Sequence, residues 1–586
     1  MKLPKESTIG RPLQRSDSEG QLRHLQSASV RPDFHAVEPT DHAYPRRRPS
    51  FHRFAAHFAA VTPWFRFLVS CSQKISYTAI PGFFVPACGT FICLLPFRHL
   101  ICALLLAGLV AEIAAPAVLG RVETTVRTSQ GLEADLRTLC DAIGPRMAGT
   151  KAMQDALQWG LRSFQEAGLQ TARLESVPIP RAWREGDTRI EVVQPRPFRL
   201  RAAASAFSPS VREPMEAELA LGGSGQQGAI LQAGESLRGK IVLVELREAS
   251  SLESLGLSQR DAMVAVREAA EVGALAVLIV STRPRQLLYR HVNNLSAELD
   301  PIPSALVARE EGLRLARLLE VGERVRVRLE MPNRIGPSFE TANVVAEIPG
   351  EGLPDEIVLL GAHLDSWDMG TGCLDNAVNV ALVLHVARAI AEAGVRPLRT
   401  LRFVLFGGEE FGLFGSLAYV DSHRDGLDRH VATIVHDMGG GPLSGYSTGG
   451  RRDLLRQVER LLGGVDEFGR FRHTAKAYFM SDNFTFMLQG VPSLFAVQET
   501  SDYYSSYHSE ADTFDKVDID SVRSSAVVAA RTLVGIAQET ERIAERWSAA
   551  EVSRWLQDQG LIRHLRFLGV WDEWRPQRDG GAFDSN

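Results

Sequence analysis

Hydrophobic and polar positions change their rhythm several times along the chain. Residues 1–60 show no sustained helical or strand period, are rich in Arg, His, Ser and Pro, and carry the basic cluster Arg46-Arg47-Arg48. They read as disordered. Residues 75–97 contain no charge, but Pro81, Pro86 and Pro96 interrupt a spanning helix. Then come Arg98-His99, an apolar run over 100–111, and Ala115-Pro116-Ala117. A short positive region, an apolar region and a small-residue cleavage pattern are the anatomy of a secretory signal. It lies far from Met1, and two explanations stay open. One is a genuine extension with a membrane anchor; the other is a start assigned upstream of the true one. A buried core helix also fits a run of this length. The signal reading places the folded body outside the cytoplasm.

From residue 122 helical spacing takes over. Leu132, Leu136 and Leu139 mark one face, and Met153, Leu157, Leu161 and Phe164 another. Residues 185–335 alternate short β-rich runs (189–193, 240–245, 274–280, 304–307, 325–329) with helical pattern, notably over 258–272. No His/Asp/Glu constellation with catalytic spacing stands out there, so the stretch reads as an accessory domain. From 342 the pattern is strand–helix–strand: runs at 343–348, 357–360, 401–406, 431–435 and 493–497, with a long apolar-striped helix over 377–393. Alternating units of this kind predict an α/β sheet covered by helices. In such sheets the chemistry sits in loops at the carboxyl ends of the strands.

Composition narrows the classes. A chain of 586 residues that is 45% hydrophobic exceeds one folding unit and is not mainly disordered. Its mean hydropathy of −0.07 excludes a polytopic membrane protein. A net charge of −5 gives no support to nucleic-acid binding. Six cysteines exclude a disulfide scaffold; beyond residue 120 only Cys140 and Cys373 remain, and sequence does not say whether they pair.

Polar residues stand where the sheet rule puts function. Gly361-Ala362-His363-Leu364-Asp365-Ser366 follows the run 357–360, and Asp375-Asn376 opens the long helix. Gly407-Gly408-Glu409-Glu410 follows 401–406, His436-Asp437 follows 431–435, and Tyr507-His508-Ser509-Glu510-Ala511-Asp512-Thr513 comes after 493–497. His363, His508, Asp375, Asp437 and one of Glu409-Glu410 offer nitrogen and oxygen ligands suited to a borderline metal such as zinc. Five ligands exceed the three that a tetrahedral catalytic zinc takes from protein. Shared through one bridging carboxylate, they serve two metals ~3.5–4 Å apart, and the other glutamate faces the bridging water as base. Taken singly, Asp375 reads as a helix cap, the Glu pair as solvated surface and His508 as an ordinary histidine. Joint placement carries the metal reading. His385, His423, His430 and His436 read as structural.

The string 361–368 (Gly-Ala-His-Leu-Asp-Ser-Trp-Asp), Gly370-Thr371-Gly372 and Asp375-Asn376 together resemble the dinuclear zinc exopeptidase family, which includes bacterial aminopeptidases and glutamate carboxypeptidases. The likeness is greatest to its plasma glutamate carboxypeptidase branch and runs over residues about 125–545. It includes Asn343-Val344-Val345-Ala346-Glu347, Arg399-Thr400-Leu401-Arg402, the stretch 412–416, Ser481-Asp482-Asn483 and Gly490-Val491-Pro492. Arg238-Gly239-Lys240-Ile241-Val242 and Gly273-Ala274-Leu275-Ala276 resemble the protease-associated domain inserted in these enzymes.

The resemblance implies a mixed, mostly parallel sheet sandwiched by helices, with an inserted β-rich α/β protease-associated domain. With the patterns read from the residues before and after the matching stretch, the chain divides into a disordered or mis-started extension (1–96), a signal peptide or anchor (97–120), a catalytic domain (121–184 and 336–546), the inserted domain (185–335) and a tail (547–586). The resemblance implies two Zn²⁺: His363 and Asp437 on one, Glu410 and His508 on the other, Asp375 bridging. Glu409 becomes general base and acid, Asp365 orients His363, and Tyr507 hydrogen-bonds the oxyanion. The implied activity is hydrolysis of dipeptides and short peptides by zinc-bound hydroxide; the signal pattern adds a secreted, periplasmic or membrane-anchored extracytoplasmic location, and the net charge speaks against a nucleic-acid partner. The branch's homodimers carry over as an expectation. An aminopeptidase on longer peptides and a non-catalytic binding protein on the same fold are the alternatives. Cys373 reads as a small buried filler, and the tail from Ala549 has no counterpart in the family.

Overall fold

The computed structural model describes residues 118–463, 471–479 and 481–575. The expected extension, nearly all of the expected signal segment and the end of the tail lie outside the described residues. The first described element is a helix over 118–128 that buries Val122 and Val126.

A seven-stranded sheet organises the body, in the order Arg173–Ile179, Phe339–Ile348, Arg399–Phe406, Leu353–His363, His430–Val435, Ser493–Gln498, Leu443–Ser447. The central four strands run parallel, and the three outer pairings are antiparallel. Arg399–Phe406 and His430–Val435 are buried at every position, as strands covered on both faces must be. Side chains alternate between two cores. Val344, Val358, Leu360 and Leu405 meet the helices Lys151–Glu166, Val378–Glu392 and Ile519–Gln538. Val345, Leu359, Val404 and Phe406 meet Tyr419 and Phe486 on the other face. The fold is the mixed α/β sheet between helices that the sequence predicts. Among the described residues one helical stretch, Cys373–Glu392, is long and apolar enough to cross a membrane; 94% of its apolar window is buried inside the protein, which makes it a core helix.

The chain leaves this sheet at Ile179 and returns at Phe339, residues paired across adjacent strands. The intervening segment builds an eight-stranded sheet whose core strands are Val211–Leu221, Ile241–Glu245, Ala276–Val280 and Ser304–Val307. Each β-rich run of the sequence appears as a strand. Val211–Leu221 was not legible, because Glu213, Pro214, Glu216 and Glu218 leave one face open and no apolar run. The helix Leu252–Glu271 starts earlier than its apolar stripe, because Ser251 and Ser254 form a reciprocal cap.

The tail packs on the body over its described part. Ser548 and Glu551 cap the helix Ala549–Asp558, and Trp555 and Trp574 are buried around Phe484. Cys373 is not a filler: it is disulfide-bonded to Cys140, with Cα atoms 5.4 Å apart.

Candidate metal centre

Parallel pairing brings the strand ends together. His363, the last residue of its strand, pairs with Phe406, and Gly361 pairs with Val435. The segments that follow, carrying Glu409-Glu410 and Asp437, therefore start about one strand spacing (~4.8 Å) from His363 on either side. Asn343 holds the first of them, accepting the Gly407 N–H at 3.0 Å and donating to Gly415 O at 2.8 Å. Gly408, with φ of 84°, turns the chain into Glu409.

The loop from Leu364 to Asp375 is held from three directions. Arg146, fully buried, donates to Leu364 O at 2.6 Å, Thr371 O at 2.9 Å and Gly372 O at 2.7 Å. Burial lowers this guanidinium to about 10, against the charges of Asp512, Asp365 and Asp375. Asp512 accepts the backbone N–H of Leu374 at 2.6 Å and of Asp375 at 3.1 Å. The Cys140–Cys373 bond ties the same loop to the helical turn Thr138–Ile143. The Asp375–Asn376 peptide is cis.

Five expected ligand residues converge in two groups that share one residue: His363, Asp375 and Asp437, and Asp375, Glu410 and His508. Within each group the potential ligand atoms lie within 4.8 Å of one another. Asp375 Oδ1 faces His363 Nε2 at 3.1 Å, and Asp437 Oδ1 is also 3.1 Å from that nitrogen. Asp375 Oδ2 faces the other way, 3.2 Å from His508 Nε2, which is 3.0 Å from Glu410 Oε2. Asp375 Oδ2 and Glu410 Oε1 are buried without a hydrogen-bond partner. Two imidazole nitrogens and three carboxylates, with buried lone pairs left over, fit divalent cations with nitrogen and oxygen preference.

The electrostatics agree. Burial raises Glu409 well above the usual carboxylate range, and Asp437, Glu410 and Asp482 add to it. Burial likewise raises Glu410, to about 7, and Asp437. Burial also opposes the Asp375 charge, but the two histidines facing its oxygens, His363 and His508, hold this carboxyl low. So much buried negative charge, left unpaired, is costly, and bound cations offset it.

Asp365 acts differently from expectation. Its backbone carbonyl, not its carboxylate, lies 3.0 Å from His363 Nδ1; the carboxylate is 3.8 Å away, beyond hydrogen-bond range. The carboxylate instead accepts the backbone N–H groups of Glu409 at 3.1 Å and Glu410 at 3.2 Å. Tyr507 stacks on His508 with ring centroids 3.7 Å apart. Of the histidines read as structural, His385 and His430 bond backbone carbonyls, and His423 pairs with Glu175. His436 is buried outside both ligand groups.

The second sheet reaches the site, which the sequence did not reveal. Arg290 N donates to His508 O at 2.9 Å, and His508 Nδ1 lies 3.0 Å from Arg290 O and 3.1 Å from His291 Nδ1. Arg283 donates to Ser505 O and Tyr507 O. Arg290, itself buried, pairs with Asp368 at 2.6 Å and Glu185 at 2.5 Å. These contacts hold His508 at a φ of 56°, uncommon outside glycine. Burial, His508 and Arg283 keep the His291 imidazole well below its usual range.

Beside Asp437 opens a cavity of about 530 Å³, within the range of small-ligand pockets. Its walls come from three sources: Leu255 and Met263 of the helix Leu252–Glu271, Phe479 and Phe495 near the main sheet, and His564 and Leu568 of the tail. Arg260 and Lys476 bring positive charge to an otherwise mainly apolar lining.

Comparison with known proteins places this geometry. Residues 343–533 match peptidase family M28. Carboxypeptidase Q of Bos taurus is 29% identical over 401 residues, 67% of this chain and 82% of the relative. The structure of a peptidase M28 precursor from Shewanella amazonensis SB2B superposes with a TM-score of 0.69 at 25% identity, covering 75% of this chain and 99% of that one. A zinc aminopeptidase from Bacillus subtilis shares the fold, with a TM-score of 0.56 at 19% identity over 71% of this chain and 97% of that one. The converging strand ends, the two histidine–carboxylate groups and these relatives lead to one conclusion: the chain is a metallopeptidase whose residues 343–533 carry the pattern of peptidase family M28.

Proposed function

We propose that this chain is an exopeptidase that holds two zinc ions and hydrolyses dipeptides and short peptides. The observation that carries the reading is Asp375, whose two carboxylate oxygens face two different histidine–carboxylate pairs. One ion would take His363 and Asp437, the other Glu410 and His508, with Asp375 between them. The zinc in the name of the Bacillus subtilis neighbour and the nitrogen and oxygen donors support the choice of metal.

Bound zinc supplies Lewis-acid polarisation of the scissile carbonyl and acidifies the attacking water. The protein's groups do the rest. Glu409, buried among negative charges, takes a proton from the water on a carboxylate oxygen as the new C–O bond forms. It returns that proton to the amine nitrogen as the C–N bond breaks. Asp365 holds the Glu409 backbone in place. Tyr507, at the cavity wall, donates to the oxyanion. The cavity of about 530 Å³, lined by three parts of the chain, is of a size for short substrates. The second-sheet segment is read as a protease-associated unit that supports the site. The Cys140–Cys373 bond favours an oxidising, extracytoplasmic compartment.

Elemental analysis of protein beginning near residue 121, with a dipeptide panel, tests the reading. About two zinc ions per chain and chelator-sensitive dipeptide cleavage are expected. Substrates blocked at one terminus separate a dipeptidase from an aminopeptidase on longer chains. Folded protein that neither takes up zinc nor cleaves any dipeptide would rule the reading out.

A further inference from the structure

The tail reaches the cavity beside Asp437 through one short helix, Leu561–Leu568. Left-handed glycines bound it at both ends, Gly560 with φ of 67° and Gly569 with φ of 79°. Leu561, Leu565 and Leu568 bury one stripe of the helix in the cluster that also holds Met263 and Phe484. Other contacts fix its place. From the segment between Ile179 and Phe339, Arg267 donates to Phe567 O at 2.5 Å, and the guanidinium carbons of Arg267 and Arg260 lie 5.0 and 5.7 Å from the Phe567 ring centroid. From the side of the main sheet, Phe479 stands edge-on to His564 with centroids 5.1 Å apart. At the start of the tail, Trp547 donates its backbone N–H to Gly490 O at 2.8 Å. His564 and Leu568, one turn apart, are the two residues this helix gives to the cavity lining. His564 is half-buried, and burial with Arg260 nearby lowers its imidazole below the usual range, so the ring is uncharged at neutral pH.

The same lining leaves apolar surface open. Leu257 is 57% exposed and Phe479 37%, in a cavity that buried Leu255 and Met263 also line. Its charged members Glu253, Arg260 and Lys476 are exposed to solvent, and both cations rest over rings, Arg260 over Phe567 and Lys476 5.5 Å from Tyr478. A largely apolar recess that also touches Asp437 and Tyr507 suits an apolar side chain of whatever is bound there. We propose that the tail is part of the substrate site: His564, backed by Leu568 and set edge-on to Phe479, is a specificity-determining wall that selects short peptides with a bulky apolar side chain beside the scissile bond. The inference rests on the two-zinc hydrolytic reading and adds to it the substrate class and the part of the chain that chooses it.

The probes are Ala-Ala, Leu-Ala, Phe-Ala, Ala-Leu and Ala-Phe, which place the larger side chain on either side of the bond. The readout is a ratio, kcat/KM for Leu or Phe over that for Ala at the same position. In the zinc-loaded wild type this ratio should reach about 10–200 on one side of the bond, the discrimination an apolar pocket gives. His564→Asp sets a charge where the side chain would pack and should bring the ratio to within a few-fold of one, mainly by raising KM for the Leu and Phe substrates. His564→Ala opens the wall and should lower the ratio part of the way. His564→Phe keeps a flat ring of similar size and should keep the ratio. Zinc content should match wild type in all three. Equal losses on Ala-Ala and on the larger substrates would overturn the proposal, because the tail would then act only on folding. An unchanged ratio in both His564→Asp and His564→Ala would overturn it too and leave selection to Leu255, Met263 and Phe479. Wild-type protein without zinc or hydrolysis would remove the reading on which the proposal rests; an active wild type with a ratio near one on both sides removes the proposal alone.

Discussion

The Asp365 carboxylate accepts the backbone N–H of Glu409 at 3.1 Å, and its second oxygen accepts that of Glu410 at 3.2 Å. One buried side chain thus fixes the peptide planes of both the proposed base and a proposed ligand. Asp365→Asn keeps the shape but turns an amide N–H₂ toward one of these N–H groups. Activity should fall about 10–100-fold, the usual effect of losing a group that orients metal-site residues. Steady-state kinetics with zinc analysis check it; undiminished kcat would show that the strand-end turn holds itself.

Glu409 and Asp375 should fail differently. Glu409→Gln removes the proton acceptor and leaves all five proposed ligands, so turnover should vanish while zinc stays bound. Asp375→Ala takes a ligand from both groups and should lose zinc as well. Elemental analysis of the two proteins side by side distinguishes the roles, and retained activity in either sinks the assignment.

Arg146 binds no carboxylate directly among the described residues; its donors go to main-chain carbonyls, three of them in the loop that leads to Asp375. Arg146→Met would strand those buried acceptors, each worth about 1–3 kcal/mol when unpaired. Urea denaturation should show a loss of at least about 3 kcal/mol, and zinc should dissociate faster in competition with a chelator. Unaltered zinc dissociation would mean that Asp512 and the disulfide suffice to hold the loop.

Two buried histidines away from the site should make stability fall in mild acid. His430 donates Nδ1–H to Gly426 O at 3.1 Å and accepts the Tyr419 hydroxyl at 2.8 Å. Burial, with Arg402 nearby, lowers it to about 3. His385 donates to Val126 O at 2.8 Å, and burial lowers it to about 4. Unfolded, both titrate near 6.5. Below that value the unfolded chain binds protons that the folded chain refuses. Their contribution is therefore complete above pH 6.5 and declines as pH falls toward 4 and 3, by about 1.4 kcal/mol per pH unit for each. Asp300, raised to about 6 by burial, opposes this trend. The clean readout is therefore a difference: the stability gap between wild type and His430→Gln should narrow between about pH 7 and pH 5. A gap independent of pH would count against a neutral buried His430.

Reduction should loosen the site before it unfolds the chain. Cys140 and Cys373 are 233 residues apart in sequence, and a bond closing so long a loop contributes roughly 2–5 kcal/mol. Cys140→Ser with Cys373→Ser should lower the thermal midpoint and accelerate zinc exchange, since Cys373 lies two residues before Asp375. Identical zinc exchange in the double variant and wild type would limit the bond to global stability.

What the sequence disclosed follows a physical line. His363, Glu409, Glu410 and Asp437 sit at or just past the ends of buried parallel strands, and a short, nearly continuous apolar run ending in a polar cluster is visible in one dimension. Asp375 and His508 became legible through spacing and family likeness. His291, Arg146 and the backbone-holding role of Asp512 were not legible. His291 meets His508 across 217 residues, Arg146 meets Leu364 across 218, and Asp512 meets Leu374 across 138. Each is a lone residue in a loop, without periodicity, whose meaning comes only from what folding sets beside it. Asp365 shows a subtler limit: its position was read correctly, but its carboxylate turned toward backbone amides rather than the imidazole.

The pairing of Ile179 with Phe339 has a wider consequence. In outline the two strands form a hairpin whose turn has grown into a folded body, so a short turn could close it and leave the seven-stranded sheet intact. Such a trimmed chain would still fold its strands and still present His363, Asp375, Glu410 and Asp437. It would lose Arg290 O and His291 Nδ1, the acceptors that meet His508, and the Arg283 contacts behind Tyr507. The boundary between scaffold and chemistry therefore does not follow the boundary between the sheets. A miniaturised version of this protein would preserve architecture and leave His508, one of the five candidate ligands, without the contacts that hold it.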